Sequence, residues 1–290
     1  MNRRRLGTLA VVGVGALFAE IATERIGAHA IVDAPNHGHD VAAAATVPGE
    51  RFLEVGPPRA TLAVEVVEPK LPPRATIFAL HGIRDRKESL RHWAEHLSEA
   101  GYRAVLVDSR GHGQSTGDWL TYGVQESRDL SALVDKLGVD GPIGVMGISY
   151  GGATAIEWAA RDPRVRAAVA VAPFASLREV VPLYTPRMLP VVGWLIPRFV
   201  QMRCVDAAGR LGGFDPDEAS PRAAAHATKT PILIIHGSDD TAVPPAESAR
   251  IADGAPAVSR IILDGQDHER ISGDPRLWPL ALDFFARVFK

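Results

Sequence analysis

The chain has little cysteine, little aromatic character and little net charge. Its single cysteine, Cys204, cannot form a disulfide within the chain, and one thiol is too few for a structural zinc site. We interpret Cys204 as a buried apolar residue because no catalytic motif surrounds it. Aromatic residues make up 6% of the chain and the formal net charge is -2, so neither a nucleic acid nor an acidic surface is favoured as a partner. Because 46% of the 290 residues are apolar, the chain can bury a large core.

The N-terminal 28 residues differ in character from the rest. Three consecutive arginines, at 3–5, precede an apolar run at 6–19. A basic stretch followed by a short apolar run is typical of an export signal or a signal anchor. The run is shorter than the roughly 20 apolar residues that span a bilayer comfortably, and a cytoplasmic amphipathic helix is the alternative. We therefore predict export or membrane tethering, with residues 1–28 as the signal or anchor and a candidate cleavage site at Ala28-His29-Ala30.

Residues 29–50 are predicted to be a linker to a single domain at 51–290. They contain three histidines, an alanine tract and Pro48-Gly49. Three histidines could bind a metal ion, but no cysteine or carboxylate cluster accompanies them, so a polar linker is the preferred interpretation.

From about residue 59, short apolar runs alternate with longer segments of helical spacing. The predicted strands are Thr61–Val67, Ala75–Leu80, Tyr102–Val107, Ile143–Met146, Ala167–Ala172, Ile232–Ile235 and Arg260–Leu263. The predicted helices are Glu88–Ala100, Val124–Leu137, Gly151–Arg161, Ala246–Ala252 and Leu277–Phe289. This alternation predicts an α/β fold with a mostly parallel central sheet and helices on both faces. Ligands of such sheets bind at the carboxyl ends of the strands, so catalytic residues are expected just after each strand.

The segment at about 177–217 interrupts the alternation. It is apolar and rich in proline, and it follows a strand near the end of the sheet where catalysis is expected. We predict that it forms a cap of short helices over a pocket. The alternatives are a second element that touches a membrane, or additional core.

A Gly-x-Ser-x-Gly sequence occurs once, from Gly147 to Gly151, directly after the strand predicted at 143–146. Such a sequence between a strand and a helix is typical of a tight, strained turn that lifts a serine hydroxyl above the sheet. Ser149 is therefore the predicted nucleophile. The first amides of the following helix, including that of Tyr150, would point at a developing oxyanion. The alternative is a glycine-rich turn whose serine has no catalytic role.

A serine hydroxyl needs a base to accept its proton and a carboxylate to orient that base. In this kind of sheet the chain order is nucleophile, acid, histidine. His268 is the only histidine after His236, so the order selects it as the base. Asp239 and Asp240 both follow a strand and are both candidates for the acid. Asp267 is a weaker candidate because adjacent side chains normally point apart.

These stretches resemble the α/β-hydrolase superfamily of serine hydrolases, from about residue 59 to the C-terminus. Members carry a Gly-x-x-Asp-x-x-Val-Pro sequence whose aspartate is the triad acid, and that register falls on Asp240. The resemblance also places the second oxyanion amide in the loop His81-Gly82-Ile83, at the backbone N–H of Ile83, with Tyr150 as its partner. The resemblance implies structural roles for His81 and for the Asp-x-Arg-Gly-His-Gly-x-Ser loop at 108–115.

Within the superfamily, the sequences at 173–177, 214–217 and 220–221 are most similar to prolyl-oligopeptidase-like and serine-aminopeptidase-like esterases. The resemblance implies hydrolysis of a carboxylic ester through an acyl-enzyme, with a small acyl substrate and neither a metal nor an organic cofactor. Aminopeptidase-like or thioesterase activity on the same triad is the alternative. A haloalkane-type hydrolase is disfavoured because that chemistry uses an aspartate at the position of Ser149. A non-catalytic binding protein is disfavoured because such proteins usually lack a triad residue.

Overall fold

A computed structural model describes residues 22–38 and 47–290. Eight strands form one sheet in the order β1-β2-β4-β3-β5-β6-β7-β8. The strands are β1 Glu50–Val55, β2 Ala60–Val67, β3 Thr76–Leu80, β4 Arg103–Val107, β5 Ile143–Ile148, β6 Val165–Val171, β7 Ile232–Gly237 and β8 Val258–Leu263. The pairs β1–β2 and β2–β4 are antiparallel, and all other neighbours are parallel. The predicted mostly parallel sheet is confirmed.

Helices cover both faces of this sheet. The described part of helix α1 is residues 22–32. The other helices are α2 Arg91–Glu99, α3 Val124–Leu137, α4 Tyr150–Arg161, α5 Leu177–Met188, α6 Arg198–Gly212, α7 Pro221–Ala227, α8 Ala246–Ala252 and α9 Leu277–Val288. One large apolar cluster joins the sheet to α3 and α4, and a second joins its other face to α2 and α9. The central strands β3 and β5 are buried along their whole length, as expected for a parallel sheet covered on both sides.

The predicted cap region contains two helices. After β6 the chain forms α5, a single 3-10 turn at Gly193–Leu195, and α6 before it returns to the sheet at α7. Pro182 and Pro186 lie inside α5. A proline inside a helix removes a backbone hydrogen bond and bends the helix. The cap lies beside the carboxyl ends of the strands, where Ser149 follows β5.

Helix α1 packs against the cap, which the sequence pattern did not indicate. A side chain at Gly27 would overlap the Sγ atom of Cys204 on α6, so the two helices approach closely at this glycine. The hydroxyl of Tyr122 donates a hydrogen bond to the carbonyl of Ile31 over 2.6 Å. Residues 22–38, which the sequence assigned to an anchor and a linker, therefore contact the hydrolase domain in their described part.

The chain beyond α1 continues these contacts. The side-chain amide of Asn36 donates to the carbonyls of Gly113 and Ser115 over 2.8 and 3.0 Å, and Asp33 forms an isolated bridge with Trp119. The apolar run at 6–19 and the histidine at 39 lie outside the described residues. Within the described residues, none of the helices has the length and apolar character needed to cross a bilayer.

Candidate active site

Ser149 lies on a sharp turn between β5 and α4. Its backbone has a positive φ of 52°, a conformation that costs energy for a residue with a side chain. The turn brings backbone segments very close together at two positions, and both positions are glycines, which have no side chain to clash. A Cβ atom at Gly147 would overlap the carbonyl of Gly151, and one at Gly151 would overlap the carbonyl of Leu80. The amide of Ser149 is held by the carbonyl of Val171 over 2.8 Å, which fixes the turn to β6.

Three of the predicted residues come together above this turn. The Nε2 atom of His268 lies 3.0 Å from the Oγ atom of Ser149. The Nδ1 atom of the same ring lies 2.7 Å from the Oδ2 atom of Asp240. These residues follow β5, β8 and β7, which run parallel with β6 between β5 and β7, so their carboxyl ends lie at the same edge of the sheet. The arrangement can transfer the serine proton to the imidazole while the carboxylate orients the ring.

The Asp240 carboxylate is buried and held by several donors. Its Oδ1 atom accepts hydrogen bonds from the amides of Ala242 and Val243 over 2.9 and 2.8 Å. Burial alone would raise the pKa of Asp240, but hydrogen bonds from His236, His268 and the Val243 amide hold that pKa well below its usual range. Asp240 is therefore ionised, as a residue that stabilises an imidazolium must be.

His236 was not singled out by the sequence analysis, although it contacts the same carboxylate. Its Nε2 atom donates to the carbonyl of Val243 over 2.7 Å and lies 3.3 Å from the Oδ2 atom of Asp240. The side chain is fully buried at the end of β7. The sequence signal was its position directly after a predicted buried strand, three and four residues before the two candidate aspartates. His236 thus contacts the same Oδ2 atom of Asp240 that is bonded to His268.

The other two acid candidates lie elsewhere. Asp239 is exposed and accepts a hydrogen bond from the hydroxyl of Ser238 over 2.6 Å. The carboxylate of Asp267 is paired with Arg270 over 2.7 Å. Among these three aspartates, only Asp240 is hydrogen-bonded to His268 in the described residues.

The two predicted oxyanion residues flank Ser149. Tyr150 is the first residue of α4, and the first amides of a helix have no acceptor within that helix. Its side chain is fully buried, and its hydroxyl donates to Glu126 over 2.7 Å, which fixes the residue. A Cβ atom at Gly82 would lie 3.9 Å from the Cβ atom of Ser149, so the loop that carries Ile83 touches the turn.

The histidine of that loop is occupied by backbone groups. The Nδ1 atom of His81 donates to the carbonyl of Gly82 over 2.7 Å, and its Nε2 atom accepts from the amide of Ser109 over 3.1 Å. Burial lowers the pKa of His81. Burial also lowers the pKa of His112, to about 4. Both rings are neutral and buried, so they hold loops in place and are poorly suited to accept the serine proton.

The loop at 108–115 is fixed by buried charges. Asp108 accepts from the amides of Lys87 and Gln114 over 2.6 and 2.9 Å. Arg110 forms two hydrogen bonds of 2.8 Å with the carboxylate of Asp129 on α3, and both side chains are buried. When one partner of a buried ion pair is removed, the remaining charge is buried without compensation, and the folded state is strongly destabilised.

We expect Arg110→Leu to lower the free energy of unfolding by about 3–5 kcal/mol, because the substitution leaves Asp129 buried without a counter-ion. Urea denaturation followed by circular dichroism measures the change. Arg270→Leu, which removes the exposed partner of Asp267, is the matched control and should change little. Equal effects of the two substitutions would contradict the prediction.

Two cavities meet at Ser149. The larger has a volume of about 510 Å³ and extends between α1, α5 and α6. Its lining is mostly apolar and includes Ile26, Phe174, Val180, Met188, Ile196 and Val200. The smaller has a volume of about 380 Å³, and its polar lining residues include Asp85, Ser89, His92, Glu269 and Ser272. Volumes of about 300–1,000 Å³ suit small organic ligands. An apolar group and a polar group can therefore lie on opposite sides of the serine.

Tyr184, on α5, lines both cavities and lies next to the nucleophile. Burial raises the pKa of Tyr184, and a hydrogen bond with Ser149 acts in the opposite direction. No motif in the sequence marks this residue, since its position depends on how the cap folds over the sheet. Tyr184 borders both cavities, and its neutral hydroxyl is available to a group bound at the serine.

The chain is similar to several known proteins. A family model described as serine aminopeptidase, S33, matches residues 71–210. The chain is 26% identical over 238 residues to a monoacylglycerol lipase of Mycolicibacterium smegmatis, which covers 70% of this chain and 82% of that protein. It is 28% identical over 186 residues to the uncharacterized protein YqkD of Bacillus subtilis, which covers 61% of this chain and 58% of that protein.

The fold also matches solved structures. An esterase from Pyrococcus furiosus superposes with a TM-score of 0.67 at 22% identity, covering 83% of this chain and 92% of that chain. At this level of identity the likeness concerns the fold. The region shared with the family model contains the loop at 81–83, Ser149 and most of the cap, whereas Asp240 and His268 lie beyond it.

Proposed function

Because the chain is an enzyme of the α/β-hydrolase superfamily, we propose that it hydrolyses carboxylic esters that carry an apolar acyl chain. The observation that supports this proposal is the apolar cavity, which opens directly on the Ser149 hydroxyl. The hydrogen bond from that hydroxyl to His268, and from His268 to Asp240, supplies the means to activate it.

The proposed reaction proceeds through an acyl-enzyme. The Oγ atom of Ser149 attacks the ester carbonyl while the Nε2 atom of His268 accepts its proton. The backbone amides of Ile83 and Tyr150 stabilise the tetrahedral oxyanion, and the ionised Asp240 stabilises the imidazolium. His268 then protonates the departing alcohol. A water molecule, deprotonated by His268, attacks the acyl-enzyme and releases the carboxylic acid.

The two cavities suggest the orientation of the substrate. An acyl chain gains free energy when it leaves water for the apolar cavity between α1, α5 and α6. The departing alcohol would then lie in the smaller cavity, where Asp85, His92 and Glu269 can form hydrogen bonds with hydroxyl groups. The preferred substrate is therefore an ester of an apolar acid with a polar alcohol.

A panel of substrates tests this proposal. We expect kcat/KM to rise along a series of 4-nitrophenyl esters from acetate to octanoate, because each added methylene is worth up to about 0.8 kcal/mol of burial. Aminoacyl 4-nitroanilides and acyl thioesters should be poorer substrates. A preference for the aminoacyl amides would favour the peptidase alternative and overturn the esterase proposal.

A bulky residue on α1 should shorten the acyl chain that is accepted. Ala30 lines the apolar cavity, and Ala30→Trp would fill part of it. We expect kcat/KM for the octanoate ester to fall about tenfold or more, with little change for the acetate ester, since a few methylenes in an apolar pocket discriminate by such factors. Ala22→Trp, on the same helix but outside the lining residues, is the matched control. Equal losses for both esters would contradict the prediction.

We further propose that the N-terminal segment directs export or tethers the protein to a membrane. The basic and apolar pattern at 3–19 supports this proposal. Cell fractionation, followed by mass determination of the mature N-terminus, tests it. A soluble cytoplasmic chain that retains residue 1 would overturn it.

A further inference from the structure

The cap presents a broad apolar surface to solvent. With two exceptions, all exposed large apolar side chains of the described residues lie on it or beside it. The exceptions are Leu71 and Ile262. We call the other exposed residues the cap face: Ile26, Met188, Leu189, Val191, Val192, Trp194, Leu195 and Phe199. Val191, Trp194 and Phe199 are 81%, 68% and 65% exposed. Contiguous exposed apolar surface of this kind marks an interaction site.

The cap face is held in a defined conformation. A Cβ atom at Gly193 would overlap the carbonyl of Thr185, so the 3-10 turn packs directly on α5. The amide of Gly193 donates to the carbonyl of Leu189 over 2.7 Å. The indole N–H of Trp194 donates to the carbonyl of Val191 over 3.0 Å. These contacts fix the backbone of the turn while its apolar side chains point into solvent.

Part of the cap face borders the apolar cavity. Ile26, Met188 and Leu189 are exposed and also line that cavity. Ile26 is on α1, and the segment with three arginines and an apolar run directly precedes this helix in the sequence. The cavity, the cap face and the described part of α1 are therefore adjacent.

The charges of the cap segment that carries this face have one sign. From Val180 to Val205 the chain contains three arginines and no acidic residue. Arg187 and Arg198 are exposed and flank the apolar turn. Apolar side chains bordered by arginines are typical of surfaces that lie in the interface of a bilayer with anionic lipids.

We propose that the cap face docks on the surface of a phospholipid bilayer, with its apolar side chains among the acyl chains and Arg187 and Arg198 at the headgroups. In this orientation the apolar cavity opens toward the lipid, so that an apolar acyl chain enters it without crossing water. The proposal goes beyond the proposed ester hydrolysis, and membrane docking itself does not require Ser149 to react.

The test uses the full chain and vesicles of phosphatidylcholine, with and without phosphatidylglycerol. Binding is measured by flotation, and the position of Trp194 by quenching with brominated phosphatidylcholine. We expect Trp194 to be quenched in vesicle-bound protein, and Trp194→Phe to remove most of that quenching. The triple variant Val191→Ser, Trp194→Ser, Phe199→Ser should bind about tenfold more weakly or worse, since three apolar side chains leave the bilayer. Phosphatidylglycerol should strengthen binding.

Leu71→Ser is the matched control, because Leu71 is 76% exposed but precedes β3 at the opposite end of the sheet. It should bind vesicles as the wild type does. The triple variant should keep the wild-type rate on the water-soluble acetate ester, since its three residues are outside the lining of both cavities. That measurement separates failed docking from failed catalysis.

Three results would overturn the proposal. The first is wild-type binding by the triple variant together with unquenched Trp194 in the vesicle-bound wild type, which would assign all binding to the N-terminal run. The second is a dimer that the triple variant converts to a monomer, which would make a second copy the occupant. The third is a monomer whose Trp194 is shielded from acrylamide without vesicles, which would show that residues 1–21 cover the cap face.

Discussion

Replacing Ser149 with alanine should lower kcat by about 10⁶-fold, because the triad acts as a unit and removal of its nucleophile leaves only binding and oxyanion stabilisation. The Oγ atom of Ser149 is the only group that both opens on the apolar cavity and is hydrogen-bonded to His268 in the described residues. Hydrolysis of the octanoate ester measures the loss. Covalent labelling by a fluorophosphonate, detected by mass spectrometry, measures it independently of the substrate.

The matched control is Ser238→Ala. The Ser238 hydroxyl bonds to Asp239 and to the amide of Gly265, at the end of β7 and away from the nucleophile. That variant should keep the activity and the labelling of the wild type. His268→Ala should lose about as much activity as Ser149→Ala, and the double variant should lose little more. Labelling of Ser149→Ala at the wild-type rate would contradict the proposed mechanism.

Replacing Asp240 with asparagine should lower kcat by about 10⁴-fold while leaving the fold intact. The side-chain oxygen of asparagine can still accept from the amides of Ala242 and Val243, so the loop keeps its hydrogen bonds. The new NH₂ group would face the Nδ1 atom of His268 as a donor. The ring must then present its N–H at Nε2, where a base has to accept the serine proton.

Asp239→Asn is the matched control, since it changes the adjacent residue in the same way. Asp239 is exposed and bonds to Ser238, so this substitution should leave kcat within a few-fold of the wild type. The rate of ester hydrolysis measures kcat for both variants, and thermal melting checks that both remain folded. A larger loss of kcat at Asp239 than at Asp240 would reverse the assignment of the acid.

The sequence predicted the sheet well because its strands are continuous apolar runs. The strand before Ser149 was predicted at 143–146 and extends to Ile148, and α3 has the predicted bounds Val124–Leu137. Strand β1 was missed because its burial does not alternate: its two end residues are buried and the four between them are exposed or half-buried. A strand that is buried on both faces of the sheet can be recognised in the sequence as a continuous apolar run. An edge strand such as β1 lacks such a run, and its pairing depends on the neighbouring strand.

The site was predictable to the extent that its residues follow strands in a fixed order. Ser149 and His268 were singled out by motif and order, and Asp240 by the register of the resemblance. His236 and Tyr184 were not, because their contacts with Asp240 and Ser149 depend on the fold of a loop and of the cap. Helix α1 was missed for a related reason. Gly27 in its interior is unfavourable for a helix, and only the approach of Cys204 explains it.

The position of α1 links the maturation of the chain to its chemistry. The candidate cleavage sequence Ala28-His29-Ala30 lies inside this helix, and Ala28 is buried against the cap. A peptidase acting there would need the helix to be unfolded, so it would have to act before the domain closes around it. The shortened product would lose Ile26 and Gly27, and with them part of the wall that surrounds the acyl chain. Processing at this point would therefore change which esters the enzyme accepts as well as where it resides.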